Sequence, residues 1–175
     1  MSNVRSFPDI EKLENLQKIV TRKIPEVRDL NYWERLKHLE MNSQERKMER
    51  NKVICVWKIL EGFLPNCGLE TINSDKRGRE VKVPPVKGSG KIQTLREFSF
   101  QVHGTRLFNS VPKSVRNLTR VSIEEFKEKL DNYLSTLPDE PKGPNYIPIS
   151  CSQVTGSPSN SILDHAQTES LRGPG

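Results

Sequence analysis

Long hydrophobic runs are missing from the sequence: no stretch approaches the roughly 18 apolar residues that a membrane-spanning helix needs. The first residues also lack the apolar centre of a signal peptide. The three cysteines are odd in number and widely spaced, so they do not form the disulfide framework of a small secreted domain. We therefore expect an intracellular protein, nuclear or cytoplasmic and not secreted, without a membrane partner.

Patterns of catalytic and metal-binding residues are missing as well. Two-metal phosphoryl transfer needs carboxylates placed together, and no two aspartates are adjacent. The histidines have no cysteine or histidine at zinc-ligand spacing, and the basic segment 87–91 lacks the flanking residues of a phosphate-binding P-loop. A hydrolase built on Cys67 and a distant histidine has no pattern in its favour. The sequence therefore predicts no enzymatic activity, metal, cofactor or small-molecule substrate.

Positive charge is present in excess and is unevenly distributed. The chain has 28 basic and 22 acidic residues. Residues 138–175 hold two basic and four acidic residues, so residues 1–137 carry 26 basic and 18 acidic residues, a net charge of +8. This balance favours a polyanionic partner such as RNA or an RNA–DNA duplex.

Helical patterns dominate the first 64 residues, which we interpret as a three-helix module. The spacing predicts helices over 9–23, over 32–40 with Asn31 as its cap, and over 43–61 with Ser43 as its cap. The third helix has a charged first half and an apolar second half, so one end should be buried while the other extends into solvent or onto a partner. The first helix has an apolar stripe that we expect to be buried: Ile10, Leu13, Leu16, Ile19 and Val20.

The remaining sequence falls into three segments. Residues 65–97 are basic and rich in glycine and proline, which predicts an exposed linker or a small hairpin with a strand near 79–83. Residues 98–137 predict a pair of helices, one ending before Pro112 and one starting at a capping box of Ser122 and Glu125. Residues 138–175 hold six of the twelve prolines and predict a disordered tail. The expected fold is mainly α: a small helical bundle with a basic loop and that tail.

Several basic side chains are candidates for contact with a nucleic-acid backbone. Arg46 and Arg50 share one helix face, where their stems either cover apolar neighbours with the heads in water or meet phosphates of a partner. The basic loop is either a solvated linker or an electrostatic contact. Aromatic residues are few and fall on predicted core stripes, which disfavours base stacking as the main binding mode. The candidates are Arg22, Lys23, Arg46, Lys47, Arg50, Lys76, Arg77, Arg79, Lys91 and Arg106.

Three ordered groups of residues carry a family resemblance. The first comprises the segments LENLQ (13–17), TRKIP (21–25) and YWERL (32–36), and the second is WKILEG (57–62). The third comprises FSFQV (98–102), RLFNSVP (106–112), FK (126–127) and LD (130–131). In this order and spacing they resemble the C-terminal end of reverse transcriptases from non-LTR retrotransposons of the jockey-like kind, over roughly residues 10–141. The chain departs from the family at Glu26, where glycine is frequent, and at Phe108, where tryptophan is frequent.

The resemblance implies a limited function. In that family the fingers and palm carry out polymerisation with paired aspartates, and this chain lacks them. The resemblance therefore implies a thumb or post-thumb segment of an RNA-directed DNA polymerase, not itself an enzyme, that lies along the template–primer duplex. The alternative from a different class is a helical module that binds proteins or associates with itself and has no nucleic-acid role.

Overall fold

The computed structural model describes residues 8–74, 78–139 and 162–163. Within these residues the chain is mainly helical, as predicted, with seven α-helices and one two-stranded antiparallel sheet. The elements are α1 (Pro8–Arg22), α2 (Tyr32–His38), α3 (Gln44–Leu60), β1 (Thr71–Ser74), β2 (Gly78–Val81), α4 (Gly90–Glu97), α5 (Thr105–Ser110), α6 (Lys113–Arg116) and α7 (Ile123–Ser135). A 3₁₀ turn, Pro25–Val27, precedes α2, and a π-helical turn, Phe100–Gly104, leads into α5.

The described residues divide into two compact units. The first unit contains residues 8–48, 138–139 and 162–163, and the second contains residues 49–74 and 78–137. The four segments predicted from the sequence, 1–64, 65–97, 98–137 and 138–175, do not coincide with this division. The division falls within α3, a helix whose sequence gives no break at that point.

In the first unit, α1 has the predicted length but not the predicted orientation. The stripe expected to be buried is exposed: Leu13, Leu16, Ile19 and Val20 are each at least 50% accessible to solvent. Gln17 and Thr21, on the adjoining face of the helix, are buried instead, at 7% and 2%. The prediction of a buried apolar stripe on this helix is therefore wrong.

Hydrogen bonds explain why the polar face of α1 is buried. Gln17 donates from Nε2 to the carbonyl oxygen of Asn42 and accepts at Oε1 from the side chains of Gln44 and Lys47. Thr21 accepts at Oγ1 from Nε of Arg35, at 3.2 Å. Buried polar groups are stable where they find such partners. These contacts to distant residues outweigh the preference of the aliphatic stripe for the interior.

Asn31 caps α2 as predicted, with reciprocal bonds to Glu34 that form a capping box. At the start of α3, Ser43 accepts the amide of Arg46 at Oγ, which is the predicted cap. Local signals of this kind involve residues only three positions apart. They could therefore be read correctly from the sequence alone.

Asp139 is bound at the start of α3. Its carboxylate accepts the amide and the hydroxyl of Ser43, at 2.6 and 2.7 Å, and lies 3.5 Å from Nε of Arg46. The predicted extension of the charged half of α3 into solvent is wrong, because Arg46 and Glu49 are each 1% exposed. The disordered tail predicted over 138–175 lies mostly outside the described residues, which include only 138–139 and 162–163 of it, and Ile162 is fully buried.

The core of the second unit is built around Trp57. Its indole stacks on the ring of Phe126 with centroids 4.3 Å apart, and its Nε1 donates to the carbonyl oxygen of Leu118 at 2.8 Å. The apolar half of α3 is buried here, as predicted. The Ser122 half of the predicted capping box is present at the start of α7, because Ser122 accepts the amide of Glu125, and the helix buries Phe126, Leu130 and Leu134.

The glycine-rich segment forms the small hairpin that was one of the two predicted alternatives. Thr71 pairs with Val81 and Ser74 pairs with Gly78, and the strand read from the sequence at 79–83 occupies Gly78–Val81. Gly78 has a φ of +70°, and a side chain there would meet the amide of Asn117 at 2.6 Å. That amide accepts the backbone N–H of Arg79, so the hairpin depends on glycine at this close approach.

Three elements were missed by the sequence reading. The glycines of this segment were expected to break any helix, but a helix, α4, begins among them, and Gly90 is its first residue. The single short helix expected before Pro112 is a π-helical turn continued by α5. A further short helix, α6, follows Pro112, where proline is well placed to start a helix.

Candidate nucleic-acid interface

Four of the candidate cations are held by acceptors of the chain itself. Arg46 donates to the carbonyl oxygen of Pro138 at 2.8 Å and lies near Asp139, while Lys47 donates to Gln17. Arg50 donates through two nitrogens to both carboxylate oxygens of Asp131. These hydrogen bonds raise the pKa of the Arg50 guanidinium above its ordinary value. Neither alternative for Arg46 and Arg50 describes this arrangement, because both heads meet acidic side chains. Arg46 is nearly fully buried, so it is not a surface cation and we leave it out of the interface.

Arg79 is the fourth held cation, and it anchors the hairpin. Its Nη1 lies 2.5 Å from Oε1 of Glu61, and both side chains are mostly buried, at 15% and 10% exposure. The other carboxylate oxygen of Glu61 accepts the amide of Arg120 at 2.8 Å. Glu61 therefore joins the end of α3 to the hairpin and to the segment before α7, which gives Arg79 a structural role.

Other candidate cations lie on the surface. In the first unit, Arg22 and Lys23 are exposed at the C-terminal end of α1. In the second unit, Lys91 is exposed on α4, a helix that buries none of its residues. None of these three has an ion pair with a carboxylate within the described part of the chain. Lys76 and Arg77 lie outside the described residues.

Arg106 belongs to a cluster in the second unit that the sequence did not reveal. Lys52 on α3 places its Nζ 2.9 Å from Nδ1 of His103, which lies on the π-helical turn. Arg106 follows three residues later on α5 and is close enough to act electrostatically on the imidazole. We call these three residues the cationic cluster. All three side chains are partly exposed.

The environment of the imidazole defines the protonation state of His103. Burial lowers the pKa of His103 to about 4, and the positive charges of Lys52 and Arg106 contribute to the same shift. The ring is therefore neutral at pH 7. Because the ammonium of Lys52 donates to Nδ1, the ring proton resides on Nε2, which is a hydrogen-bond donor.

Sequence reasoning included Arg106 but omitted Lys52 and His103. Lys52 and His103 are 51 positions apart, and no local pattern relates them. The one available signal was the spacing of His103 and Arg106, which places both on one side of a helical turn. Their convergence with Lys52 depends on the packing of α3 against the π-helical turn.

The side chains of the cationic cluster are of the kind that binds anions. Ammonium, guanidinium and imidazole N–H groups are the donors that meet phosphate oxygens in protein–nucleic acid complexes. The described ranges contain no cluster of histidine, cysteine, aspartate and glutamate side chains able to hold a metal ion. They also contain no helix with the length and apolarity required to cross a membrane.

Comparisons with family models, with curated proteins and with solved structures returned no significant match.

Proposed function

We propose that this chain is the C-terminal segment of a retroelement RNA-directed DNA polymerase, without the catalytic palm, and that it binds the backbone of RNA or of an RNA–DNA duplex without sequence selectivity. The proposal rests first on the ordered resemblance over roughly residues 10–141. In this proposal the chain is not itself an enzyme. Its role is to hold a template–primer duplex by its phosphates.

The observation that carries the binding role is Arg106 beside Lys52 in the second unit. Lys52 contacts the partly exposed imidazole of His103, and the positive charge of Arg106 acts on the same ring. Positive charges placed together in this way attract a polyanion. Exposed Lys91 adds a further cation to the same unit.

The aromatic side chains favour backbone contact over base stacking. Trp57, Phe108 and Phe126 are fully buried in the core of the second unit, so their faces are not accessible to bases, and Phe63 is the one ring of this unit, among the described residues, that is exposed. Proteins that bind single strands by stacking present such rings on their surface. Binding through phosphates alone should therefore depend strongly on salt and weakly on sequence.

Fluorescence anisotropy of the full chain with an RNA–DNA duplex and an RNA hairpin, across a salt series, tests this function. We expect affinity to fall steeply with salt, and Arg106→Gln and Lys91→Gln each to reduce the slope of log affinity against log salt by about 1. The matched control is Lys82→Gln, because exposed Lys82 is already paired with Glu70 at 2.8 Å. Absence of binding at low salt, or affinity that ignores salt, would refute the proposal.

A second candidate function, self-association, is favoured by the exposed face of α1. The apolar surface expected to drive it was the Val53–Leu60 region, but Val53, Ile54, Val56 and Trp57 are buried. On α1, Leu13 and Ile19 lie three positions on either side of Leu16, a spacing that an antiparallel copy of the same helix would match by a two-fold axis. The partner in this candidate is a second copy of the chain.

Sedimentation velocity over a range of concentrations tests self-association. We expect a concentration-dependent dimer that Leu16→Lys abolishes, because a charge at the two-fold axis would meet its own copy. Lys37→Ala on the exposed side of α2 is a control that should leave the dimer unchanged. A single monomeric species at every concentration would exclude this function.

A further inference from the structure

We propose that the outer edge of β1 pairs with the same edge of a second copy of the chain, as two antiparallel strands related by a two-fold axis at Ile72. The two hairpins then form one four-stranded sheet, with the two β1 strands at its centre. This contact does not depend on nucleic-acid binding, and it uses a surface different from the exposed face of α1.

The hydrogen bonds of the hairpin show which backbone groups of β1 face outward. The N–H of Lys82 donates to the carbonyl oxygen of Glu70 at 2.8 Å, just before the first paired residue of β1. In an antiparallel ladder, positions that bond the partner strand alternate with positions whose N–H and C=O groups face away from it. Ile72 therefore bonds to β2, while Thr71 and Asn73 direct their backbone groups away from the hairpin.

Asparagine side chains cover neighbouring outward-facing groups of the hairpin. On β2, the side chain of Asn109 bonds both the N–H and the C=O of Val81. Before β1, Asn66 does the same for Leu69: it accepts the N–H at 2.8 Å and donates to the carbonyl oxygen at 3.1 Å. Thr71 is the next outward position, and no such side chain covers it within the described residues. The edge of β1 is therefore open to a further strand.

A second copy of β1 offers groups that match this edge. When the two strands run antiparallel about an axis at Ile72, Thr71 of each copy lies opposite Asn73 of the other. Each of these pairs exchanges N–H···O=C bonds in both directions, so the outward groups of both positions find partners. An axis at Thr71 would instead place Asn73 opposite Leu69, whose backbone groups are already bonded to Asn66.

The side chain of Ile72 supplies an apolar contact at the axis. It is 44% exposed on the hairpin, although isoleucine is among the residues most often buried. The axis makes Ile72 its own non-bonded pair, the position at which the Cα atoms of antiparallel strands lie closest, about 4.5 Å apart. The two side chains then shield each other from water. The contact is small, so we expect a dimer that forms in concentrated solution and dissociates on dilution.

Disulfide formation at the axis tests the register. Ile72→Cys, in a chain whose three natural cysteines are replaced by serine, places two thiols on Cα atoms about 4.5 Å apart, within the range that a disulfide spans. Glu70→Cys is the matched control, because residue 70 is exposed and its two copies are offset by about 13 Å along the strands.

The rate of crosslinking in air decides between the two positions. We expect the Ile72→Cys chain to form a disulfide-linked dimer at least about tenfold faster than the Glu70→Cys chain, because only the first pair meets the geometry of the bond. Equal rates for the two variants would overturn the proposed register.

Hydrogen exchange of the unmodified chain requires no variant to fold. Between micromolar and millimolar concentration we expect the amide of Thr71 to exchange at least about threefold more slowly, because it becomes bonded to the second copy. The amide of exposed Ser89, outside the hairpin, should not change. Exchange at Thr71 that does not depend on concentration overturns the proposal. Full protection in dilute solution also overturns it, because another segment of the same chain then covers the edge.

Three variants assign the protection to the edge of β1. Thr71→Pro removes the outward N–H without removing a bond between β1 and β2, a position at which strands tolerate proline, and it should abolish the concentration-dependent protection of Asn73. Thr71→Val keeps the N–H and should retain that protection. Leu16→Lys, which disrupts a contact through α1, should leave both the protection and the crosslink at residue 72 unchanged. Loss of both in Leu16→Lys would mean that α1 holds the copies together, and it would overturn the pairing of the edges.

Discussion

The side chain of Asn109 hydrogen-bonds both backbone groups of Val81. Its Oδ1 accepts the N–H of Val81 at 2.9 Å, and its Nδ2 donates to the carbonyl oxygen at 2.7 Å. Val81 is 1% exposed and ends β2. The asparagine on α5 thus replaces the strand that would otherwise pair with this residue, and it satisfies a buried peptide group.

Replacement of Asn109 should destabilise the second unit. Asn109→Ala leaves the buried N–H and C=O of Val81 without partners, and we expect a loss of about 1–3 kcal/mol in the free energy of unfolding. Urea unfolding monitored by circular dichroism measures it. Asn51→Ala, at an exposed position within α3, is the control and should change stability by less than about 0.5 kcal/mol. Equal stabilities for both variants would contradict this role.

Asp139 should contribute measurably to the stability of the first unit. Asp139→Asn weakens the bonds to Ser43 and removes the charge beside buried Arg46, and we expect a loss of about 2–4 kcal/mol in the free energy of unfolding. A chain that ends at residue 137 should lose a similar amount, because it lacks the same carboxylate. Thermal unfolding of both variants measures the effect.

An ion pair that is exposed to solvent serves as the control for the largely buried pair of Asp139 and Arg46. Glu70 and Lys82 form an exposed pair, with both side chains at least 60% accessible. Exposed pairs contribute little, so Glu70→Gln should leave the melting temperature nearly unchanged. If Asp139→Asn and Glu70→Gln had the same small effect, Asp139 would not be a structural residue.

The exposed and buried faces of α1 should respond oppositely to substitution. Leu16→Gln changes an exposed side chain and should alter stability by less than about 0.5 kcal/mol. Gln17→Leu should cost about 1–3 kcal/mol, because the carbonyl of Asn42 and the side chain of Lys47 lose their partner. Chemical unfolding of both variants tests this inversion, and a larger loss for Leu16→Gln would refute it.

The free energy of unfolding should decrease as the pH is lowered, because of the buried imidazole of His103. Its pKa is about 4 in the folded chain and near 6.5 when unfolded, so the unfolded state binds the proton first. The contribution is present above pH 6.5 and is lost as the pH falls towards 4, by roughly 3 kcal/mol in total. The measurement is the difference in unfolding free energy between the wild type and His103→Gln at several pH values. Parallel pH curves for the two proteins would contradict the neutral state of His103.

Local signals account for the parts of the fold that the sequence predicted. The caps Asn31, Ser43 and Ser122 act within three residues of themselves, so their helices could be placed without knowledge of the rest of the chain. The glycines before α4 were misread, because the same positive φ values that break a helix interior also permit the turn that begins one.

Contacts between distant residues account for what could not be predicted. The aliphatic stripe of α1 looked like a core face, yet the contact between Thr21 and Arg35 and those of Gln17 turn the adjoining polar face inward. The cationic cluster is a similar case, since Lys52 meets His103 only through the packing of two helical elements. Some candidate cations are paired with acidic side chains in the structure, such as Arg50 with Asp131. The sequence shows which residues are charged but not which partners they meet.

The order of synthesis has a consequence for the hairpin, because the residues that stabilise it are translated later than its strands. A two-stranded hairpin alone is at best marginally stable in water, and its strands leave the ribosome before the asparagines that hold them. Asn109 follows Val81 by 28 residues, and Asn117 follows Arg79 by 38 residues. At about 5–20 residues per second, the nascent strands wait roughly 2–8 seconds for Asn117. During translation the edges of β1 and β2 are therefore open to chaperones, and to neighbouring nascent chains, for longer than a hairpin takes to form.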